Sequence, residues 1–425
     1  MTYSEALEFI HSRPRLGRKK PGTQRMEKLL HALGDPHKTL KFVHIAGTNG
    51  KGSVTAMTSN ILRLAGYKTG QFISPFILEF RERIQMNGEM IPKEKLVEYA
   101  QQVKAVVDEM DARDEIINEF EIDTAIGLLW FAEERCDIVC LEVGLGGLYD
   151  ATNIIDAPLV TAITSISLDH TNLLGDTTAK IAQEKCGIIK RGSVVVSYPT
   201  QDKDALAVVM ERCAALQVPV ILPAMGGVEI LDDSVLHKRV RYGNLEFTLK
   251  LPGAHQVQNA MMVVEIIRQL AGKGFPVSEE TIQKGIETVF FPARQEILSE
   301  HPLILLDGAH NFSGAQSLED TLRRLPQEKT MIIGMLSDKD YEHSAQLLAR
   351  QCRCVITVSP DNPRALSPEQ LAQAVGDSCE TVIPCHDYEK ALNLAKSQAG
   401  ETGAIIICGS LYLASSMREL LCKKK

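Results

Sequence analysis

Short runs of consecutive apolar residues alternate with longer stretches whose apolar positions recur every three or four residues. That is the pattern of buried strands joined by helices in an α/β protein with parallel sheets. Phe42-Val-His-Ile-Ala46 reads as a strand, and Ser53 to Ala65 as the helix after it. Val54, Met57, Ile61 and Leu64 lie along one side of that helix, and Gly66 is placed to stop it. Further strands are expected at Phe72-Ile73, Ile138 to Val143, Val160 to Ile166 and Val194 to Val196. The stretch 218–251 has little helical period and reads as strand-rich. A long helix follows from His255 to Ala271, with Ala260, Val264 and Ile267 spaced for burial. Phe290-Phe-Pro-Ala-Arg294 breaks the alternation, which then restarts with strands at 303–306, 330–335, 354–358, 381–384 and 404–408. The expected organisation is a domain over 1–295 and a smaller, Rossmann-like α/β domain over 296–425.

Composition leaves that picture intact. The chain has 425 residues, 44% hydrophobic and 24% charged, as expected of a globular protein with a sizeable core. Its net charge of −8 argues against a general binder of nucleic acid or anionic membrane. The balance is uneven, because residues 1–41 carry nine Lys/Arg against four Asp/Glu and so leave −13 to the rest. Arg13, Arg15, Arg18, Lys19 and Lys20 form the basic cluster, read as a solvated surface run that could alternatively receive an anionic chain. No apolar run reaches the ~18 residues of a membrane span. The start, Met1-Thr-Tyr-Ser-Glu-Ala-Leu-Glu8, has acids where a signal peptide would have bases. Ten scattered cysteines, mostly in apolar contexts, read as reduced thiols of a cytoplasmic protein.

The chemistry-bearing residues gather where strands end. Gly47-Thr-Asn-Gly-Lys-Gly-Ser53 lies between a strand and a helix, so its N–H groups and the helix dipole can cradle phosphate. Lys51 can neutralise the β/γ-phosphates and a hydroxyl can hold Mg²⁺. The strict P-loop pattern is not met, since Ile45 occupies its first glycine position and Gly52 follows the lysine. Glu142 ends an apolar strand beside this loop, where a metal-binding acid could sit, and Gly144, Gly146 and Gly147 follow it. Ser165-Ile-Ser-Leu-Asp-His170 reads as another strand ending in metal-capable side chains. Lys185 closes a helix before Gly187, and from its position alone it complements a helix C-terminus. In the smaller domain, Asp307 and His310 follow one strand, and Ser410 stands at a helix start after the last. Their shared placement at strand C-termini points to a cleft between two domains.

In this arrangement the chain resembles the folylpolyglutamate synthase/dihydrofolate synthase branch of the Mur ligase family of ATP-dependent amide-forming enzymes. The likeness spans nearly the whole sequence. It is carried by Gly47–Ser53, Ser74-Pro-Phe76 with Phe80-Arg-Glu-Arg-Ile84, Leu141-Glu-Val-Gly-Leu-Gly-Gly147 and Leu168-Asp-His170. Glu184-Lys-Cys-Gly-Ile-Ile-Lys190, His255-Gln-Val-Gln-Asn259, Pro292-Ala-Arg294, Asp307-Gly-Ala-His-Asn311, Asp338-Lys-Asp340 and Gly409-Ser-Leu-Tyr-Leu413 complete it. The resemblance implies a P-loop ATP-binding domain of the Mur ligase central type, followed by a Rossmann-like glutamate ligase domain. It implies ATP contacts from Gly47, Thr48, Asn49, Gly50, Lys51, Gly52, Ser53, Asn259 and Arg294. It also implies two Mg²⁺ ions, the first on Ser53 and Glu142, the second on Glu142, His170 and a carbamylated Lys185. Lys51, Glu142, His170 and Lys185 would be catalytic. Ser74, Pro75 and Phe76 would contact the folate, and Asp307, His310 and Ser410 the incoming glutamate.

The implied activity is addition of L-glutamate to a reduced folate through an acyl phosphate, by a monomer acting on small molecules. A bifunctional enzyme that also joins dihydropteroate to glutamate shares every one of these motifs. A nucleotide-binding regulatory module without ligase activity is the alternative of a different class, and a peptidoglycan Mur ligase fits Gly50-Lys-Gly-Ser53 and Ser74-Pro-Phe76 less well. Two positions depart from the family. Leu148-Tyr149-Asp150 replaces the frequent Arg-Leu-Asp, and Phe312 follows Asn311 where proline is usual.

Overall fold

A computed structural model describes residues 1–14, 23–251 and 253–422. The basic residues Arg15, Arg18, Lys19 and Lys20 fall outside the described residues. The chain divides into two compact units. The first comprises 1–229, 241–247 and 258–289; the second comprises 230–240, 248–257 and 290–425.

Eight strands form the sheet of the first unit: β1 (Phe42–Ala46), β2 (Thr69–Phe72), β3 (Ile84–Met86), β4 (Glu89–Met90), β5 (Ile138–Glu142), β6 (Val160–Ile163), β7 (Val194–Ser197) and β8 (Val220–Ile221). Their order is β4-β3-β2-β5-β1-β6-β7-β8. The six strands from β2 to β8 in that order are parallel, and β3 and β4 fold back antiparallel at one edge. Every residue of β1 and β5 is buried, as expected for strands covered on both faces. The chain leaves β1 towards β2 on one side, and from β5 crosses to β6 on the other. The loop after β1 therefore opens at a switch point, where open α/β sheets bind ligands.

Residues 228–249 form a three-stranded sheet from β9 (Val228–Asp233), β10 (Lys238–Tyr242) and β11 (Leu245–Leu249), in order β11-β10-β9. The sheet of the second unit contains β12 (Glu296–Glu300), β13 (Leu303–Leu306), β14 (Lys329–Ile333), β15 (Cys354–Thr357), β16 (Thr381–Pro384) and β17 (Ala404–Cys408). Its order is β12-β13-β17-β14-β15-β16, parallel except for β12. The last strand thus returns between β13 and β14, bringing the ends of β13 and β17 side by side. Leu305, Met331, Val355 and Ile406 are buried in the core beneath these ends.

The expected α/β class and its parallel sheets are present. Two strands differ from their apolar runs: β6 ends at Ile163 rather than Ile166, and β2 is centred before Ile73 rather than on it. The antiparallel edges β3–β4 and β12 were not anticipated. The outermost strands β4 and β12 pair on one side only and carry no continuous apolar run; Glu296–Ser299 are half-buried and Glu300 is exposed. Among the described residues no helix is long and apolar enough to cross a membrane.

Phe312 leaves the helix start intact. The helix Phe312–Arg324 is capped by Asn311, whose side chain accepts from the Gly314 N–H at 2.8 Å. Asn311 is extended (φ −133°, ψ 166°), the conformation a following proline requires, and Phe312 occupies the first helical position, where proline is favoured. Phe312→Pro should therefore change the stability of this unit by less than about 1 kcal/mol. Denaturant unfolding followed by circular dichroism checks this; a larger loss would show that the edge contact of the Phe312 ring with His343 matters more than the backbone.

Candidate active site

The loop 47–53 is shaped by backbone and held from the side. Gly50 sits at φ +87°, ahead of the helix Lys51–Leu64, and a Cβ there would lie 2.7 Å from Asn259 Oδ1. Glycine is therefore required at this turn, where the Asn259 side chain lies against the loop. The loop is clipped to the segment after β6. Ser165 O accepts from the Thr48 and Asn49 N–H groups, and Thr48 Oγ1 exchanges bonds with the backbone of Ser167. Asp169 and His170 follow directly. Ser53 is buried at the start of the helix.

Two lysines converge on one carbonyl. Lys51 Nζ lies 3.2 Å from Gly47 O and from Thr48 O, while Lys185 Nζ donates to Gly47 O at 2.6 Å. Lys185 is 4% exposed. Burial first, and the facing Lys51 second, push its ammonium down to about 7, against the opposite pull of Asp169 and Asp150. Near neutral pH a substantial share of Lys185 is thus the free amine.

The backbone bearing Lys185 rests on the loop after Glu142. At Gly147 a Cβ would meet Glu184 O and Lys185 O, each at 2.8 Å, and Leu148 N–H donates to Glu184 O at 2.8 Å. Glycine is needed here because two backbones touch. Glu142 ends β5, is 3% exposed and accepts from the Ser74 N–H at 3.2 Å. This bond ties the Ser74-Pro75-Phe76 segment, with its cis Ser74–Pro75 peptide, to the carboxylate. The Phe76 ring packs edge-on to Phe80, with the Arg83 guanidinium 5.3 Å away; Arg83 Nε is 3.6 Å from the fully buried Asp123.

His170 departs from its expected place. It is not the end of a strand but the left-handed (φ 50°) residue before a short helix, Thr171–Leu174, seven positions beyond β6. Its side chain is 40% exposed, with Nε2 3.9 Å from Asp169 Oδ1. Among the described residues no three His, Cys, Asp or Glu side chains form a ready-made metal cluster.

In the second unit the ends of β13 and β17 are joined by the bond from Gly409 N–H to Ala309 O. Asp307 is 8% exposed; one oxygen accepts from Ala309 N–H at 2.7 Å and the other from Gln295 N–H at 2.8 Å. Burial raises its pKa and the neighbouring Arg294 opposes the rise. His310 Nδ1 donates to Gly308 O at 2.8 Å, and the buried Ser410 caps the helix Leu411–Cys422 by accepting from Leu413 N–H. Arg294 and these three residues belong to the second unit, whereas Asn259 belongs to the first.

Residues 45–267 match the Mur ligase middle domain and 293–411 the Mur ligase glutamate ligase domain. The chain belongs to the Mur ligase family. This Mur ligase is 35% identical over 437 residues to the dihydrofolate synthase/folylpolyglutamate synthase of Bacillus subtilis, with 99% of each chain covered. It is 36% identical over 442 residues to the folylpolyglutamate synthase of Lacticaseibacillus casei, again with 99% of each covered. The structure of a folylpolyglutamate synthase (FPGS) in complex with AMPPCP and folate superimposes with a TM-score of 0.85 at 31% identity, covering 99% of this chain and all of that one.

Motif reading gave the loop, Glu142 and Lys185, but not the parts that hold them: the Ser165–Ser167 clip, Asp169 beside Lys185, and Gln295 on Asp307. Only Gly147 advertised a close approach. Gly147→Ala should displace the Glu184–Lys185 backbone and lower ATP-dependent turnover about 100-fold, as small misplacements of reacting groups do. Phosphate release beside a melting curve measures it; unchanged turnover would show that this packing does not set the site.

Proposed function

We propose that this Mur ligase adds L-glutamate to a (tetrahydro)folate, forming folylpoly-γ-glutamates with ATP as co-substrate and giving ADP and phosphate. The observation that carries the reading is the pair Lys51 and Lys185 on the Gly47 carbonyl, beside the buried Glu142, in a chain matched along its whole length by folate ligases. A carboxylate acylates poorly because its leaving group would be oxide. Its oxygen attacks the γ-phosphorus, the bond to ADP breaks, and an acyl phosphate forms. The neutral amine of glutamate then attacks the acyl carbon, phosphate leaves, and the nitrogen loses a proton.

Gly47 to Ser53 and Asn259 hold the nucleotide, with Arg294 as its further contact, and Lys51 offsets charge on the transferred group. Ser74, Pro75 and Phe76 contact the folate, while Asp307, His310 and Ser410 receive glutamate. The functional boundary lies near 295, close to the start of the second unit's main segment at Phe290. Magnesium suits a donor set with so few protein oxygens, since Mg²⁺ keeps water and phosphate in its shell. Ser53 and Glu142 would hold one ion, and Glu142, His170 and a carbamylated Lys185 a second; when bound they supply charge neutralisation to the phosphates. The amine form of Lys185 favours uptake of CO₂, which removes its repulsion with Lys51 and adds oxygen donors. The enzyme acts as a cytoplasmic monomer.

A bifunctional enzyme that also makes dihydrofolate from dihydropteroate is the second reading, favoured by the Bacillus subtilis relative, which carries both names. Mass spectrometry of products formed from ATP, Mg²⁺, glutamate and either tetrahydrofolate or dihydropteroate decides. Products from tetrahydrofolate alone support the first reading and products from both the second. ATP binding without any amide product returns the chain to a regulatory module. A crystal grown at saturating bicarbonate and Mg²⁺ should show density for a carbamate on Lys185, and a bare amine would refute the modification.

A further inference from the structure

A chain of three side chains, His44, Thr152 and Asp150, lies buried in the first unit. His44, at the middle of β1, is fully buried and in register with Leu141 and Thr161 on the flanking strands. Its Nε2 is 2.9 Å from Thr152 Oγ1, and that hydroxyl is 2.6 Å from Asp150 Oδ1. A threonine has one hydroxyl proton and a carboxylate only accepts. Thr152 therefore donates to Asp150 and accepts from His44 Nε2–H. Burial pushes the imidazole down to about 3, so the ring is neutral with Nδ1 bare, and Nδ1 has no hydrogen-bond partner. A buried orphan nitrogen costs stability; whatever this histidine contributes comes through Nε2.

Asp150 passes the constraint on. Its second oxygen accepts from Leu145 N–H at 2.9 Å, and its first also accepts from Thr152 N–H at 3.0 Å, which closes the turn 145–152. Asn153 Nδ2 donates to Leu148 O and Gly187 O, and the same turn carries Gly147 against the Lys185 backbone. Three residues beyond His44 stands Gly47, whose carbonyl receives Lys185 Nζ. One run of bonds thus joins the strand that presents this carbonyl to the loop that supports the backbone of Lys185.

We propose that His44, acting through Thr152 and Asp150, is a positioning residue for Lys185 that sets turnover without touching nucleotide or folate. The proposal rests on the ligase reading above. Thr152→Val keeps the side-chain shape without the hydroxyl, and Thr152→Ser restores it; His44→Leu removes the Nε2–H and His44→Gln returns an N–H donor. In the full-length enzyme, T152V and H44L should lower kcat about 10- to 100-fold, the range seen when a group that orients a ligand is lost. KM for ATP and the Kd of a non-hydrolysable ATP analogue should stay within about twofold, with T152S recovering most of kcat. Unchanged kcat in T152V, a loss confined to KM, or a loss that T152S does not restore would overturn the proposal. Should H44L fail to fold, the T152V/T152S pair decides alone. Labelling of Lys185 by a small amine-reactive reagent, read by mass spectrometry, separates the two ideas: T152V should label faster than wild type even if wild type makes no amide. Equal labelling would overturn the positioning role whatever the substrate.

Discussion

The Gly47 carbonyl oxygen accepts from two lysine side-chain nitrogens, and one of them has almost no water around it. Two positive charges this close would repel by several kcal/mol at the effective dielectric of a protein, so burial and Lys51 drive Lys185 toward its neutral amine, and the surplus of positive charge that remains is only partly offset by protein anions. Asp169 and Asp150 draw on Lys185 electrostatically. The remaining relief must come from what binds or from chemistry on the amine itself. A triphosphate meets the first requirement and a carbamate the second, and the two are compatible because they act on different lysines.

Holding such a surplus requires a frame that does not yield. β1 supplies it, as the central strand of the sheet, buried along its whole length and paired on both sides. Its outgoing loop is pinned to Ser165 and Ser167, its neighbour β5 presents Glu142, and the glycine loop beyond Glu142 abuts the backbone that bears Lys185. The loop pins are backbone to backbone or use the Thr48 hydroxyl, and Glu142 is buried, which leaves little rotamer freedom to lose when a ligand arrives. The Ser74-Pro75-Phe76 segment joins the same frame through the Ser74 N–H on Glu142, so the carboxylate proposed to hold a metal is tied to the segment proposed to contact the folate.

Much of this was legible because strands buried on both faces write continuous apolar runs, and groups meant for ligands follow those runs. β1, β5, β13 and β17 with Lys51, Glu142, Asp307 and Ser410 were found that way. The failures have one cause: contacts between residues distant in sequence leave no period. His170 was placed on a strand end because the apolar pattern continues through Ile166, but the backbone turns after Ile163, where Ser165 is drawn to the phosphate loop. β12 escaped notice since an edge strand needs no apolar alternation. Nothing local in Phe42–Ala46 points from His44 to Thr152, 108 positions away.

The second unit answers the opposite electrostatic problem. Asp307 is a buried anion, and burial alone would favour its neutral form. Two backbone N–H groups and Arg294 counter that. One of the N–H groups belongs to Gln295, and both Ala293 and Gln295 adopt left-handed backbone (φ 54° and 49°), a conformation costing about 1 kcal/mol per residue outside glycine. Gln295 is further fixed by its side chain, which accepts from Thr321 Oγ1 at 2.8 Å. The strain is thus offset by the carboxylate it helps to solvate, and the geometry that results places Arg294 between two constrained neighbours. An incoming amino acid brings an ammonium group that an anion attracts, just as a triphosphate is attracted by cations. The chain's total of −8 describes neither place. Each unit would concentrate the charge its proposed ligand lacks, and it uses backbone geometry together with nearby counter-ions to keep it there.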